Sequence, residues 1–93
     1  MANGETIAEH RLDAQGADPL MLTGVNDQNV QELKSLFGIR VVMRGDELIL
    51  SGSQSAVKQA TPVVQHIIEL SKLREPFDVT DIARFADGVT IGG

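Results

Sequence analysis

Catalysis in this 93-residue chain would have to draw on two histidines, no cysteine and a few serines grouped at Ser51, Ser53 and Ser55. His10 and His66 stand alone: neither has a second histidine or a cysteine at ligand spacing, so the pattern points to no metal site. The three serines bracket a strand end and a helix start. Helix capping accounts for them, because no base is placed by sequence to activate a hydroxyl. Asp46 and Glu47 are adjacent in a turn and do not form a separated acid–base pair. No Gly-Lys dipeptide occurs, which excludes a P-loop. Arg44-Gly45-Asp46 spells an adhesion tripeptide, but a hairpin turn explains it.

A different chemistry is available around Gly24-Val25-Asn26-Asp27. This segment leads into a helix, and a helix N-terminus offers free N–H groups and partial positive charge to a phosphate. Asn26, Gln28 and Asn29 add neutral polar groups, and Lys34 follows about two helical turns on. Arg40 and Arg44 alternate with apolar residues on one strand and so share a face. Gly24, Asn26, Asn29, Lys34, Arg40 and Arg44 are therefore the candidate contacts to a nucleic-acid backbone. A capped helix and a solvated sheet face would produce the same residues, so both readings stay open on this ground alone.

The charge distribution frames that choice. Eight basic and thirteen acidic residues give −5, the wrong total for bulk attraction to nucleic acid. Residues 1–33 carry a net −5 and residues 59–93 a net −2. Residues 34–58, with Lys34, Arg40, Arg44 and Lys58, carry +2, so any basic face is narrow and lies mid-chain. Length and the 42% hydrophobic content fit one small globular domain. No apolar run approaches the ~20 residues that span a bilayer, and no secretory signal opens the chain. The absence of cysteine fits a reducing compartment.

The elements that must position these groups follow from periodicity. Residues 1–17 read as a mobile leader, in which a short strand or helix over Thr6 to Asp13 stays open. Leu20 to Thr23, between Pro19 and Gly24, reads as a strand. Val30, Leu33, Leu36 and Phe37 mark one face of a helix, with Asn26 or Asp27 as N-cap and Gly38 at its end. Ile39 to Met43 and Glu47 to Ser51 form a hairpin about Arg44-Gly45-Asp46. Val57, Ala60, Val64, Ile67, Ile68 and Ser71 stripe a long helix capped by Ser53 or Ser55, with Pro62 expected to kink or break it. Thr80 is expected to cap a short helix ending at Asp87-Gly88. The predicted fold is α+β: a two-layer β-α-β-β-α unit with a three-stranded sheet on helices and a short C-terminal helix. Residues 1–17 are the leader, 18–75 the domain, and 76–93 the short helix and the start of a linker.

The framework Leu22-Thr23-Gly24-Val25-Asn26-Asp27-Gln28-Asn29-Val30, Leu33, Leu36, Gly38 through Asp46, and Leu48-Ile49-Leu50-Ser51-Gly52 resembles the N-terminal region of PhoH-like proteins. Asp78-Val79-Thr80-Asp81-Ile82 fits the passage toward that family's next domain. The likeness covers roughly Leu20 to Asp87. It implies a KH-like domain that precedes a P-loop ATPase in a cytoplasmic protein linked to RNA metabolism and phosphate starvation. ATP and Mg2+ would belong to that missing ATPase domain, so no cofactor and no catalytic residue is expected in this chain. The implied partners are single-stranded RNA, the parent's ATPase domain and an endoribonuclease. A KH module clamps the backbone of a single strand with a GXXG loop. Here that loop corresponds to Gly24-Val25-Asn26-Asp27, with Asp27 in place of the second glycine. The alternative expectation is a protein-interaction domain that organises copies of the parent, with no membrane involved in either case.

Overall fold

A computed structural model describes residues 6–92, with side chains described through Gly88. The sheet is built on β3 (Glu47–Ser53), which pairs antiparallel on both sides. β2 (Arg40–Arg44) returns against it through the Gly45-Asp46 turn, from Arg44 opposite Glu47 to Arg40 opposite Ser51. β1 (Ile7–Asp13) pairs along the other side, from Ile7 opposite Ser53 to Asp13 opposite Glu47, giving the order β1-β3-β2. The fold is α+β, with helices on one face of a three-stranded antiparallel sheet. Strand alternation sets the faces. Leu12, Val41, Leu48 and Leu50 are buried toward the helices. Arg11, Arg40, Val42 and Arg44 are exposed on the other face.

β1 corrects the expectation of a mobile leader over 1–17. Its pattern is weak because only Leu12 of its seven residues is buried. Its strand state comes from pairing with β3 far along the chain. Residues 1–5 of that expected leader lie outside the described residues.

The first strand expected at Leu20–Thr23 is instead helix α1 (Pro19–Thr23). Asp18 decides this locally. Its carboxylate accepts from the N–H groups of Leu20 and Met21 at 2.9 and 3.3 Å. Pro19, at the first helical position, fixes φ where its missing N–H costs nothing. The element order is therefore β-α-α-β-β-α-α, with Ile7–Asp13 as its first strand and two helices before the hairpin where one was expected.

A one-turn 3-10 segment (Val25–Asp27) then leads into α2 (Gln28–Phe37), which ends at Gly38 in the left-handed region. α3 (Gln54–Leu73) starts at Ser53, whose hydroxyl accepts from the Ala56 N–H at 3.2 Å. Its buried stripe is Val57, Ala60, Val63, Val64, Ile67, Ile68 and Ser71. Pro62 interrupts nothing: the helix is one span of 20 residues. Pro62 and Lys58 are both exposed, so water can satisfy the Lys58 carbonyl that lost its donor.

α4 (Val79–Gly92) is longer than the helix expected to stop at Asp87-Gly88, and it replaces the start of a linker. Its cap is Asp78 rather than Thr80. Asp78 accepts from the Asp81 N–H at 3.1 Å, and Asp81 accepts from the Asp78 N–H at 3.0 Å. This is a reciprocal box that satisfies two donors of the first turn. Leu12, from the expected leader, and Ile82, from the expected linker segment, belong to the same core as Leu50 and Ile67. The divisions at 17 and 76 are thus not structural boundaries. Full burial of each such Leu or Ile is worth ~1.5–3 kcal/mol, so both ends of the chain stabilise the centre.

Candidate functional site

The Gly24–Asp27 turn joins two helices, α1 and α2, where a strand-to-helix connection was expected. Gly24 closes α1, its N–H donating to the Leu20 carbonyl at 2.7 Å. Its backbone has φ 84° and ψ 163°, a combination essentially confined to glycine. A Cβ there would lie 2.9 Å from the side chains of both Asn29 and Gln28. Conformation and space thus both demand glycine. Asn26 and Asp27 follow, both left-handed, at φ 55° and 57°. Asn and Asp tolerate that region better than other L residues, which explains their presence in sequence. The Asp27 N–H donates to the Gly24 carbonyl at 3.1 Å, closing the turn.

Asp27 occupies the N-cap position of α2, but its side chain makes no capping bond. The N-cap role expected of Asn26 or Asp27 is therefore not performed by a side chain. The first turn of α2 has no side-chain acceptor from this residue and faces the exposed segment Val25–Gln28.

Asn29 is buried at 3% exposure. Its Nδ2 donates to the carbonyls of Met21 and Leu22 at 3.0 and 3.3 Å. These are last-turn carbonyls of α1, so Asn29 braces one helix against the next. It is a positioning residue, and the expectation that it contacts nucleic acid directly is corrected. Its Oδ1 is buried with no hydrogen-bond partner.

The basic candidates do not converge on the turn. Lys34 is exposed on α2, six residues and so about 9 Å along the axis from Gln28. Arg40 and Arg44 do share a face, but it is the open face of the sheet, opposite the helical layer that carries the turn. Among the described residues neither arginine is in an ion pair, whereas Arg11 on the same face lies 3.4 Å from Glu9 and 3.5 Å from Glu47.

Beside the turn is a shallow cleft of about 260 Å3 whose walls include Leu20, Met21, Val25, Gln28 and Phe77. Leu20 and Val25 are exposed by 62% and 60%, large values for aliphatic side chains. Asp18, at the rim, caps α1 and is matched by Arg74 at 3.1 Å. An apolar cleft beside a helix start that lacks a side-chain cap suits a ligand with an apolar part and an anionic part, although the Gln28 N–H is already held by the Val25 carbonyl. Leu20, Val25 and Phe77 were not visible as contacts in the sequence. The available signal was Leu20 and Leu22 in one run, of which only Leu22 is buried.

The two histidines are exposed and make only surface contacts. His66 meets Phe85 edge-on with ring centroids 4.5 Å apart, at the contact of α3 with α4. His10 Nδ1 lies 3.1 Å from the Thr61 hydroxyl, which itself donates to the Val57 carbonyl at 2.7 Å. Among the described residues no three His, Cys, Asp or Glu side chains gather to hold a metal. No helix among them is long and apolar enough to cross a membrane. No family model, curated protein or solved structure matches the chain.

Proposed function

We propose that this chain is an accessory module that contacts single-stranded RNA through the Gly24–Asp27 turn and performs no bond-making chemistry itself. The observation that carries this is the turn's geometry: a turn that only glycine can open sets the start of α2, where Asp27 makes no side-chain cap and the Gln28 N–H is held by the Val25 carbonyl, beside an exposed apolar cleft. A phosphate meets the N–H groups of α2, and a base lies on Leu20 and Val25. The resemblance to PhoH-like proteins supplies the setting, a KH-like domain in a cytoplasmic ATPase of RNA metabolism. ATP and Mg2+ belong to the ATPase domain of such a parent. Asp27 beside the phosphate position, together with the net charge of −5, makes the binding weak.

Titration of labelled single-stranded RNA at two salt concentrations tests this. Val25→Glu places a charge on the shelf and abolishes binding. Asp27→Gly removes a charge and tightens it. Arg40→Glu and Arg44→Glu, on the far face, weaken it by a smaller factor. No binding at low salt, or binding indifferent to Val25→Glu, refutes the proposal.

A further inference from the structure

We propose that β1 is a self-association edge, on which a second copy of this chain adds to the sheet in one antiparallel register. The ladder between β1 and β3 continues past the strand ends. The Ala14 N–H donates to the Asp46 carbonyl at 2.7 Å, and the Gln54 N–H donates to the Thr6 carbonyl at 2.9 Å. In an antiparallel pair such bonds fall on alternate residues. Even-numbered residues of β1 therefore bond to β3, and the N–H and C=O groups of Ile7, Glu9, Arg11 and Asp13 point to an edge that pairs with no strand among the described residues. Those residues carry their side chains on the open face of the sheet, so two copies joined here keep their helices on the same side.

Only one antiparallel self-pairing aligns all seven residues of β1. It is centred on His10. It sets Glu9 opposite Arg11 of the second copy, and Arg11 opposite its Glu9. Opposite charges directly across a pair stabilise it. Shifting by two residues in either direction sets Glu9 opposite Glu9 or Arg11 opposite Arg11, which the same rule disfavours. Full overlap and charge complementarity thus select one register.

The other free edge is built the opposite way. The two-residue turn makes Arg44 and Glu47 a bonded pair, which leaves the N–H and C=O groups of Val41 and Met43 pointing out along the β2 edge. Its full-length self-pairing is centred on Val42 and sets Arg40 opposite Arg44 twice. β2 repels its own copy where β1 matches it. Joining β1 to β2 of another copy would flip the helical layer and set Glu9 or Arg11 against the core-facing Val41 and Met43.

Beside β1 lies a groove of about 440 Å3 between the strand and α3, with Ala8, His10, Val57, Thr61 and Pro62 among its walls. The two-fold through His10 brings the second copy's α3 toward this groove, so the strand pairing is flanked by a helix contact on one side of the sheet.

Sedimentation equilibrium of the chain across a concentration series is the test. A dimer is expected, and a monomer at about 1 mM, the weak limit of specific association, overturns the proposal. Glu9→Arg and Arg11→Glu, each alone, set like charges across the pair and weaken the dimer by about tenfold or more. Mixing these two variants restores complementarity and yields a heterodimer at near wild-type affinity. Arg11→Pro removes an edge N–H that β3 does not use, and abolishes association while circular dichroism stays unchanged. A dimer that persists in Arg11→Pro, or a failure of the mixed variants to associate, overturns the register.

Discussion

The Gly24–Asp27 turn and the open face of the sheet lie on opposite sides of the sheet, and their candidate contact residues are held in opposite ways. At the turn the backbone is fixed from several sides. Gly24 has no room for a side chain, Asn29 ties the last carbonyls of α1, and the Asp27 N–H closes back on Gly24. On the sheet, Arg40 and Arg44 stand on a regular strand in solvent with no ion pair among the described residues. The turn therefore brings geometry and little charge, while the strand brings charge and little geometry.

Substitutions should separate the two regions by size and sign. Gly24→Val is expected to be the most damaging. It places a β-branched residue where φ is 84° and a Cβ already meets Asn29, and should cost about 3 kcal/mol in urea unfolding. Asn29→Ala removes both donors to α1 and leaves two carbonyls unpaired. It should cost about 2 kcal/mol by the same measurement and loosen RNA binding although Asn29 touches no ligand. Asp27→Gly relieves a left-handed aspartate and should stabilise by about 0.5–1 kcal/mol while tightening RNA binding, so stability and affinity rise together. Arg40→Glu and Arg44→Glu should each leave stability within about 0.5 kcal/mol. Any change they make will be in the salt dependence of binding. Equal stability losses at Gly24 and at Arg40 would erase the contrast.

What could be read from the residues divides along similar lines. The hairpin through Gly45 and the stripe from Val57 to Ser71 were legible because each is specified by neighbours within a few positions. β1 stayed open between strand and helix, since only Ala8 and Leu12 face the core with His10 between them and its partner lies about forty positions away. At Leu20–Thr23 four apolar-to-neutral residues show no period, and the helix there is set by the Asp18-Pro19 start that precedes it. At the site, Gly24 announced itself by type. The role of Asn29 could not be read, because the carbonyls it braces are seven and eight residues back and approach only when α1 folds against α2. That Arg40 and Arg44 share a side of the strand follows from alternation alone. Which side it is depends on where the helices lie.

The Asp18–Arg74 bridge has a mechanical consequence. Asp18 begins α1, and Arg74 ends α3 in the left-handed region. Just beyond, Phe77 leans into the cleft that Leu20 and Val25 line, and α4 departs from there to pack on α2 and α3. One wall of the cleft is thus set by the segment that links α3 to α4, so the packing of α4 on α2 and α3 fixes where Phe77 stands relative to Leu20 and Val25.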